Sequence, residues 1–174
     1  MNVTLRIVPM GAVERGLLEA AALGATTAYE LETAIEPGLA EPKYAFNPSR
    51  SQHNASAIVR KLGQNHRPSA SDLVLAIGNV DLFDPDVDFV FGDGDGLLRA
   101  AVMGLHRVRT SDEERLTRRV MGLSVWAVGL ALGLRDCEDV RCAMAAPRMP
   151  EELERRNGVL CSPCRALLAK GGQL

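Results

Sequence analysis

The four cysteines of this 174-residue chain all lie in its C-terminal part, and their spacing constrains the fold more than any other feature. They occur as Cys137-x4-Cys142 and, after an interval of 18 residues, as Cys161-x2-Cys164. Two such pairs suit a tetrahedral zinc ion, which four thiolates bind at about 2.3 Å without an open position for water. We therefore predict one structural zinc ion bound by Cys137, Cys142, Cys161 and Cys164. Two disulfides or a redox-active pair are the alternatives.

The composition indicates a single globular domain that binds neither nucleic acid nor membrane. Hydrophobic residues make up 47% of the chain and charged residues 24%, which is ordinary for a soluble protein. The net charge of -2 provides no basic surface for nucleic acid. No apolar run reaches the roughly 20 residues that spanning a bilayer requires. Residues 1–10 lack a secretory signal, so we expect a cytoplasmic protein.

Hydrophobic periodicity predicts strands that alternate with helices. Alternating or continuous apolar runs indicate strands at residues 2–8, 27–35, 72–77, 88–91 and 97–108. Helical patterns cover residues 12–23, 49–63 and about 111–132. Residues 42–48 are predicted as a loop and residues 92–96 as a flexible hairpin turn. This order is typical of an α/β sheet layered with helices, followed by a small loop-rich C-terminal subdomain.

The longest predicted helix begins with a capping box. Ser111 is followed three residues later by Glu114, so each side chain can bind a backbone N–H group that the helix leaves without a partner. Few polar residues follow Arg119, which predicts that this helix is buried in the core.

Several segments of the sequence resemble the archaemetzincin family of zinc metallopeptidases. The most specific segment runs from Gly133 through Cys137, Cys142 and Met144 to Cys161-Ser162-Pro163-Cys164, and resembles the end of the family pattern HExxHxxGxxHC, CxM, CxxC. The stretch from Pro48 to Asn54 resembles the family's P-S-R-x-Q-[YH]-N signature, and residues 81–83 and 89–92 resemble two later sheet signatures. The resemblance covers about residues 45–165.

The resemblance breaks down at the residues that hold the catalytic zinc of a metzincin. Counting back from the first cysteine, the three histidine positions carry Trp126, Leu130 and Asp136, and the position of the general-base glutamate carries Ala127. In the family pattern two histidines on one helix face and a third beyond a glycine bind zinc, and the glutamate takes a proton from the zinc-bound water. One carboxylate is too few ligands for zinc. We therefore predict that this chain binds no catalytic zinc.

The resemblance also implies an architecture. The expected fold is metzincin-like, with a twisted mixed β-sheet, flanking helices, a long central helix and a small C-terminal subdomain around the structural zinc. It divides the chain into residues 1–133 and 134–174 within one compact domain. Met144 corresponds to the Met-turn of the family, and without a metal above it we expect it to pack in the core.

The function implied by the resemblance is that of a catalytically inactive member, or pseudopeptidase, of a hydrolase family. It would bind a peptide or protein in the former active-site cleft, beside an exposed edge strand within residues 97–108. Two alternatives stay open. One is an active zinc-dependent metallopeptidase with ligands outside the motif, and the other is a purely structural or redox-responsive zinc protein. A cleft filled by Trp126 favours the structural alternative.

The remaining candidate ligands form no recognisable metal motif. The chain has three histidines, His53, His66 and His106, and none is paired with another at helical or hairpin spacing. The acidic stretch Asp84-x-Asp86-x-Asp88 resembles the start of an EF-hand loop, but phenylalanine follows at the sixth position, where the loop requires glycine. We expect this stretch to be an acidic loop beside a strand.

Overall fold

The computed structural model describes residues 3–66 and 69–171. Its strands and helices are, in chain order, β1 (Thr4–Met10), α1 (Arg15–Tyr29), β2 (Glu32–Ile35), β3 (Phe46–Asn47), β4 (Gln52–Asn54), α2 (Ala55–Asn65), β5 (Leu73–Gly78), β6 (Leu82–Asp84), β7 (Val87–Val90), β8 (Gly92–Asp95), β9 (Ala100–Gly104), α3 (Glu113–Ala131), α4 (Pro150–Arg155) and α5 (Ser162–Ala169). None of the described helices has both the length and the apolar character needed to cross a membrane.

A five-stranded mixed sheet with strand order β2-β1-β5-β9-β8 forms the centre of the fold. The first four of these strands are parallel neighbours, and β8 runs antiparallel to β9. All six residues of β5 are buried, as its continuous apolar sequence predicts for a central strand covered on both faces. The mixed sheet and its flanking helices confirm the predicted α/β fold class.

Two apolar clusters cover the two faces of this sheet. Successive side chains of a strand point to opposite faces, and accordingly Ile7 belongs to one cluster and Val8 to the other. The first cluster contains residues of α1 and α3, and the second contains residues of α2. Met144, from the C-terminal segment, also packs in the first cluster. The C-terminal segment therefore packs against the same core as α3.

The long central helix α3 is buried in the core as predicted, but its N-terminal cap differs from the prediction. The capping residue is Asp112, whose side chain accepts a hydrogen bond from the backbone N–H of Arg115. Ser111 lies one residue too early to cap a helix that begins at Glu113, so the predicted capping box is wrong. The helix ends at Ala131, and Gly133 follows with a φ of 91°, a left-handed conformation that glycine adopts without strain.

Helix α1 continues past Gly24, where the prediction ended it, and the predicted strand at residues 27–35 is shortened to β2. The reason is a close approach between two helices. A Cβ atom on Gly24 would lie 2.8 Å from the carbonyl oxygen of Met121 in α3, so glycine at this position allows the helix backbones to meet. This glycine therefore serves packing between helices and does not mark a helix end.

The two short strands before α2 join β6 and β7 in a second, four-stranded sheet with strand order β3-β4-β6-β7. The predicted helix at residues 49–63 is wrong at its start, because Asn54 is the N-cap and its side chain accepts from the N–H of Ala57. Residues 42–48, predicted as a loop, include a short 3-10 helix and β3. The side chains of Arg50 and Gln52 both donate to the carbonyl oxygen of Asp88 and so tie this sheet together.

Most of the predicted hairpin turn at residues 92–96 is a strand, since β8 covers residues 92–95 and only Gly96 lies in a turn. β8 pairs antiparallel with β9, and a Cβ atom on Gly94 would lie 2.7 Å from the Cβ of Leu130 in α3. The glycines thus let this strand lie directly against the helix. Because β9 lies between β5 and β8, the expectation of an exposed edge strand within residues 97–108 is also wrong, and β8 is the edge strand.

Candidate metal centre and adjoining cleft

The four cysteines come together at one point. Their sulfur atoms all lie within 4.8 Å of one another. Cys137 follows α3, Cys142 lies in the next turn, Cys161 is the N-cap of α5, and Cys164 lies in its first turn. The proline in the second pair occupies the start of α5, where its fixed φ suits a helix that begins there. The fold therefore brings together the four residues predicted to bind zinc.

The separation of the sulfurs suits a metal ion and not a disulfide. The Sγ atoms of Cys137 and Cys161 are 3.7 Å apart, whereas a disulfide requires about 2.05 Å. Four thiolates at about 2.3 Å from a tetrahedral ion lie about 3.8 Å from each other. All four cysteines are free thiols in the structure. The donor set and its spacing therefore fit a closed four-thiolate site.

Backbone N–H groups favour negative charge on two of the four sulfurs, those of Cys142 and Cys161. The N–H groups of Met144 and Cys161 donate to the Sγ of Cys142, at 3.4 and 3.3 Å. The backbone N–H of Cys164 lowers the pKa of the Cys161 thiol, whereas burial raises the pKa of the Cys164 thiol. A bound cation would stabilise the thiolate form of all four.

Two of the four residues predicted to stand at the catalytic motif, Trp126 and Asp136, contact each other. The indole Nε1 of Trp126 donates a hydrogen bond to Oδ1 of Asp136 at 2.9 Å. Trp126 is 7% exposed and Ala127 is completely buried, while Leu130 packs against the glycine backbone of β8. This hydrogen bond could not be inferred from the sequence, because it joins the middle of α3 to the loop that follows.

Met144 is completely buried beneath α3, as expected for a residue that packs in the core. A Cβ atom on Gly129 would lie 2.2 Å from its Sδ, so the helix needs glycine at this point. The hydroxyl of Tyr29 donates to the carbonyl oxygen of Val125 at 2.7 Å and lies 3.6 Å from the same Sδ. Burial raises the pKa of this tyrosine, which stays protonated as a donor.

Within residues 3–66 and 69–171, the four cysteines are the only group of histidine, cysteine or acidic side chains close enough to hold a metal ion. The histidines are dispersed: His53 lies in β4, His66 caps the end of α2, and His106 follows β9. Burial lowers the pKa of His53. The aspartates at 84, 86 and 88 likewise form no such group.

A cleft runs along β8 on the side of α3. It consists of two cavities of about 580 and 290 Å³, and both are lined by Gly94, Leu130 and Asp136. The larger cavity extends towards Arg135 and the smaller towards Trp126. The cleft is therefore open on both sides of Leu130 and Asp136.

The chain is similar to proteins of one peptidase family along most of its length. The family model described as peptidase family M54 matches residues 27–170. An archaemetzincin from Methanopyrus kandleri is 30% identical over 129 residues, which cover 74% of this chain and 73% of that protein. An archaemetzincin from Thermococcus kodakarensis is 27% identical over 175 residues, which cover 94% of each chain.

Solved structures show the same architecture. The crystal structure of archaemetzincin from Methanopyrus kandleri superposes with a TM-score of 0.84 at 25% identity, covering 98% of this chain and 95% of that one. The archaemetzincin from Archaeoglobus fulgidus, complexed with malonate, gives a TM-score of 0.82 at 24% identity, covering 94% and 99%. Because the second structure is only 24% identical to this chain, its similarity concerns the fold alone.

Proposed function

Because the chain belongs to peptidase family M54, the archaemetzincin family, we propose that it is a catalytically inactive member. In this proposal it keeps one structural zinc ion, bound by Cys137, Cys142, Cys161 and Cys164, and binds an extended peptide in the former active-site cleft. The hydrogen bond between Trp126 and Asp136 carries the proposal, since it engages the one carboxylate left among the four positions of the catalytic motif.

The site's chemistry supports the loss of hydrolysis. A metal-activated water needs a zinc ion held by at least three protein ligands and a base to accept its proton. At these positions the chain offers a buried indole, a buried methyl group, an isobutyl group and one carboxylate. The residues at these positions do not fit a catalytic zinc ion.

The four-thiolate site supports a structural role for zinc. A site with four protein ligands leaves no position for water or substrate. Zinc bound there would join the loop after α3 to the start of α5. The binding free energy of the ion would then add to the stability of the folded C-terminal segment.

The free edge of β8 supports peptide binding. The carbonyl oxygen of Phe91 accepts from the N–H of Gly104 in β9 at 2.9 Å. Since hydrogen-bonded and non-hydrogen-bonded pairs alternate along an antiparallel ladder, the backbone groups of Gly92 and Gly94 point away from β9. In the described part of the chain no strand lies beyond β8. An extended peptide could add to this edge as a further strand.

Two other functions remain as candidates. An active peptidase with different ligands would need a second group of metal-binding side chains. A purely structural or redox-responsive zinc protein would need no cleft, and the two cavities beside β8 count against this second candidate because Trp126 does not fill them.

Elemental analysis of the purified protein should give one zinc ion per chain. A variant with His53, His66 and His106 all changed to Gln should retain that ion, because the proposed ligands are thiolates. Two tightly bound zinc ions per chain, one of them lost from the histidine variant, would contradict the proposal and favour an active site built from these histidines.

A further inference from the structure

The smaller cavity beside β8 combines aromatic rings with carboxylates. Phe91 and Trp126 line it together with Asp84, Asp93 and Asp136. Phe91 also lies edge to face against the neighbouring aromatic ring of residue 89, with 5.5 Å between ring centroids. An apolar aromatic floor beneath negative charges is the environment that binds an organic cation, because the aliphatic part packs on the rings and the charge faces carboxylates.

The negative charge of this cavity is not neutralised by the chain itself. Among the described residues, Asp84, Asp93 and Asp136 take part in no ion pair. The sequence from residue 81 to residue 98 contains six aspartates and neither lysine nor arginine. Burial raises the pKa of Asp93, and the neighbouring carboxylates raise it further. A cation entering the cavity would relieve this repulsion.

The basic side chain that stacks on Phe89, beside the aromatic floor, is already paired. The guanidinium of Arg107 lies 3.9 Å from the centroid of the Phe89 ring, and its Nε donates to Oδ1 of Asp81 at 2.6 Å. One face of Phe89 is therefore covered, and the charge of Arg107 is balanced outside the cavity. Phe91 and Trp126 remain as the aromatic lining available to a ligand.

The arrangement of the carboxylates favours an organic cation over a metal ion. In the described chain, only the four cysteines form a group of ligand atoms that all lie within 4.8 Å of one another. The oxygen atoms of these three carboxylates form no such group. A calcium ion requires six to eight oxygen ligands at 2.3–2.6 Å. Separated carboxylates around an apolar floor instead suit a guanidinium or ammonium group at the end of an aliphatic chain.

We propose that this cavity binds the side chain of an arginine or lysine residue in a peptide that lies along β8. The proposal rests on the peptide-binding function proposed above and specifies the chemistry of the partner. It also gives two of the replaced motif residues a role: Trp126 forms part of the floor, and its indole N–H orients the carboxylate of Asp136. The zinc ligands would thus have been replaced by a cation-binding surface.

The tryptophan provides a direct measurement, because it is the only one in the chain. The full-length, zinc-loaded protein is titrated with the acetylated and amidated peptide Ala-Ala-Arg-Ala-Ala, and separately with the same peptide containing citrulline, which has the same shape without the charge. Tryptophan fluorescence and calorimetry should both report an affinity about tenfold higher for the arginine peptide. The difference should shrink as salt is added.

Two variants locate the effect. Asp93→Asn keeps the shape of the side chain and should weaken binding of the arginine peptide about tenfold, while leaving the affinity for the citrulline peptide unchanged. Asp86→Asn removes the same charge from an exposed position of the same acidic stretch that does not line the cavity. It should bind both peptides as the unaltered protein does, and thermal melting confirms that each variant is folded.

Each remaining outcome contradicts the inference. Equal affinity for the two peptides would overturn the basic specificity and leave the proposed peptide binding intact. If neither peptide binds, both proposals fall. An equal loss of affinity in Asp86→Asn and Asp93→Asn would show a long-range charge effect without a site. Displacement of the arginine peptide by calcium chloride at constant ionic strength would assign the cavity to a metal ion.

Discussion

The purified protein should hydrolyse no peptide in a chelator-sensitive manner, even with excess zinc present. Hydrolysis by metzincin chemistry requires a metal-activated water and a carboxylate base. Of Trp126, Ala127, Leu130 and Asp136, only the last carries a carboxylate, and it accepts the indole hydrogen bond. Mass spectrometry of a mixed peptide library, incubated with and without a chelator, measures this. Cleavage that a chelator abolishes and that a mock purification lacks would contradict the prediction.

Restoring the zinc-binding motif tests whether the four replaced residues account for the expected lack of activity. The variant Trp126→His, Ala127→Glu, Leu130→His and Asp136→His should bind a second zinc ion. The first and third of these positions are one helical turn apart on α3, and Gly133, in a left-handed conformation just after the helix, precedes the last. We expect weak peptidase activity, because the surrounding side chains are packed around apolar groups.

A matched control separates metal binding from catalysis. The triple variant that restores the three histidines but keeps Ala127 should bind the second zinc ion and show no hydrolysis, because it lacks the base. A folded quadruple variant that still binds a single zinc ion would show that these positions do not converge. The alignment of this helix with the catalytic motif would then be wrong.

The sequence was most informative where a feature depends on local spacing. The two cysteine pairs, the buried run of β5 and the long apolar helix α3 were all predicted from residues near each other in the chain. Each cysteine pair is close in sequence, so the two sulfurs of a pair are brought together locally. The fold has to set only the distance between the two pairs, and the four sulfurs do cluster.

The features that the sequence did not predict depend on contacts between distant segments. Gly24 and Gly94 were interpreted as a helix end and a turn, since glycine is common at both. In the structure each allows a backbone to approach α3 within a distance that a Cβ atom would prevent. The partner of such a contact lies far away in the chain, so the residue type alone does not distinguish packing from chain reversal.

The acidic and aromatic cavity was missed for a related reason. The six aspartates between residues 81 and 98 are evident in the sequence, but only Asp84, Asp86 and Asp88 were considered as ligands, for calcium, and residues 92–96 were interpreted as a turn. Their proximity to Trp126 depends on the position of β8 against α3. A run of acidic residues without a basic one, interspersed with phenylalanines, is the signal that would have indicated an organic cation.

The substitution Cys161→Ser should destabilise the C-terminal segment and release the metal ion. Zinc binding contributes about 10–16 kcal/mol in small zinc domains, so release of the ion should cost the folded state about 3 kcal/mol or more. For a chain of this length that corresponds to a fall in melting temperature of about 6–12 °C. Cys161 is the best position because it is only partly buried, and serine there leaves no cavity in the core.

Two comparisons test whether the fall in melting temperature is caused by loss of the metal ion. Ser162→Ala changes an exposed neighbour in the first turn of α5 and should leave both zinc content and melting temperature unchanged. A chelator should lower the melting temperature of the unaltered protein towards that of Cys161→Ser, and should have little further effect on that variant, because the two changes remove the same interaction. Full zinc occupancy and an unchanged melting temperature in Cys161→Ser would show that the four thiolates do not form the structural site.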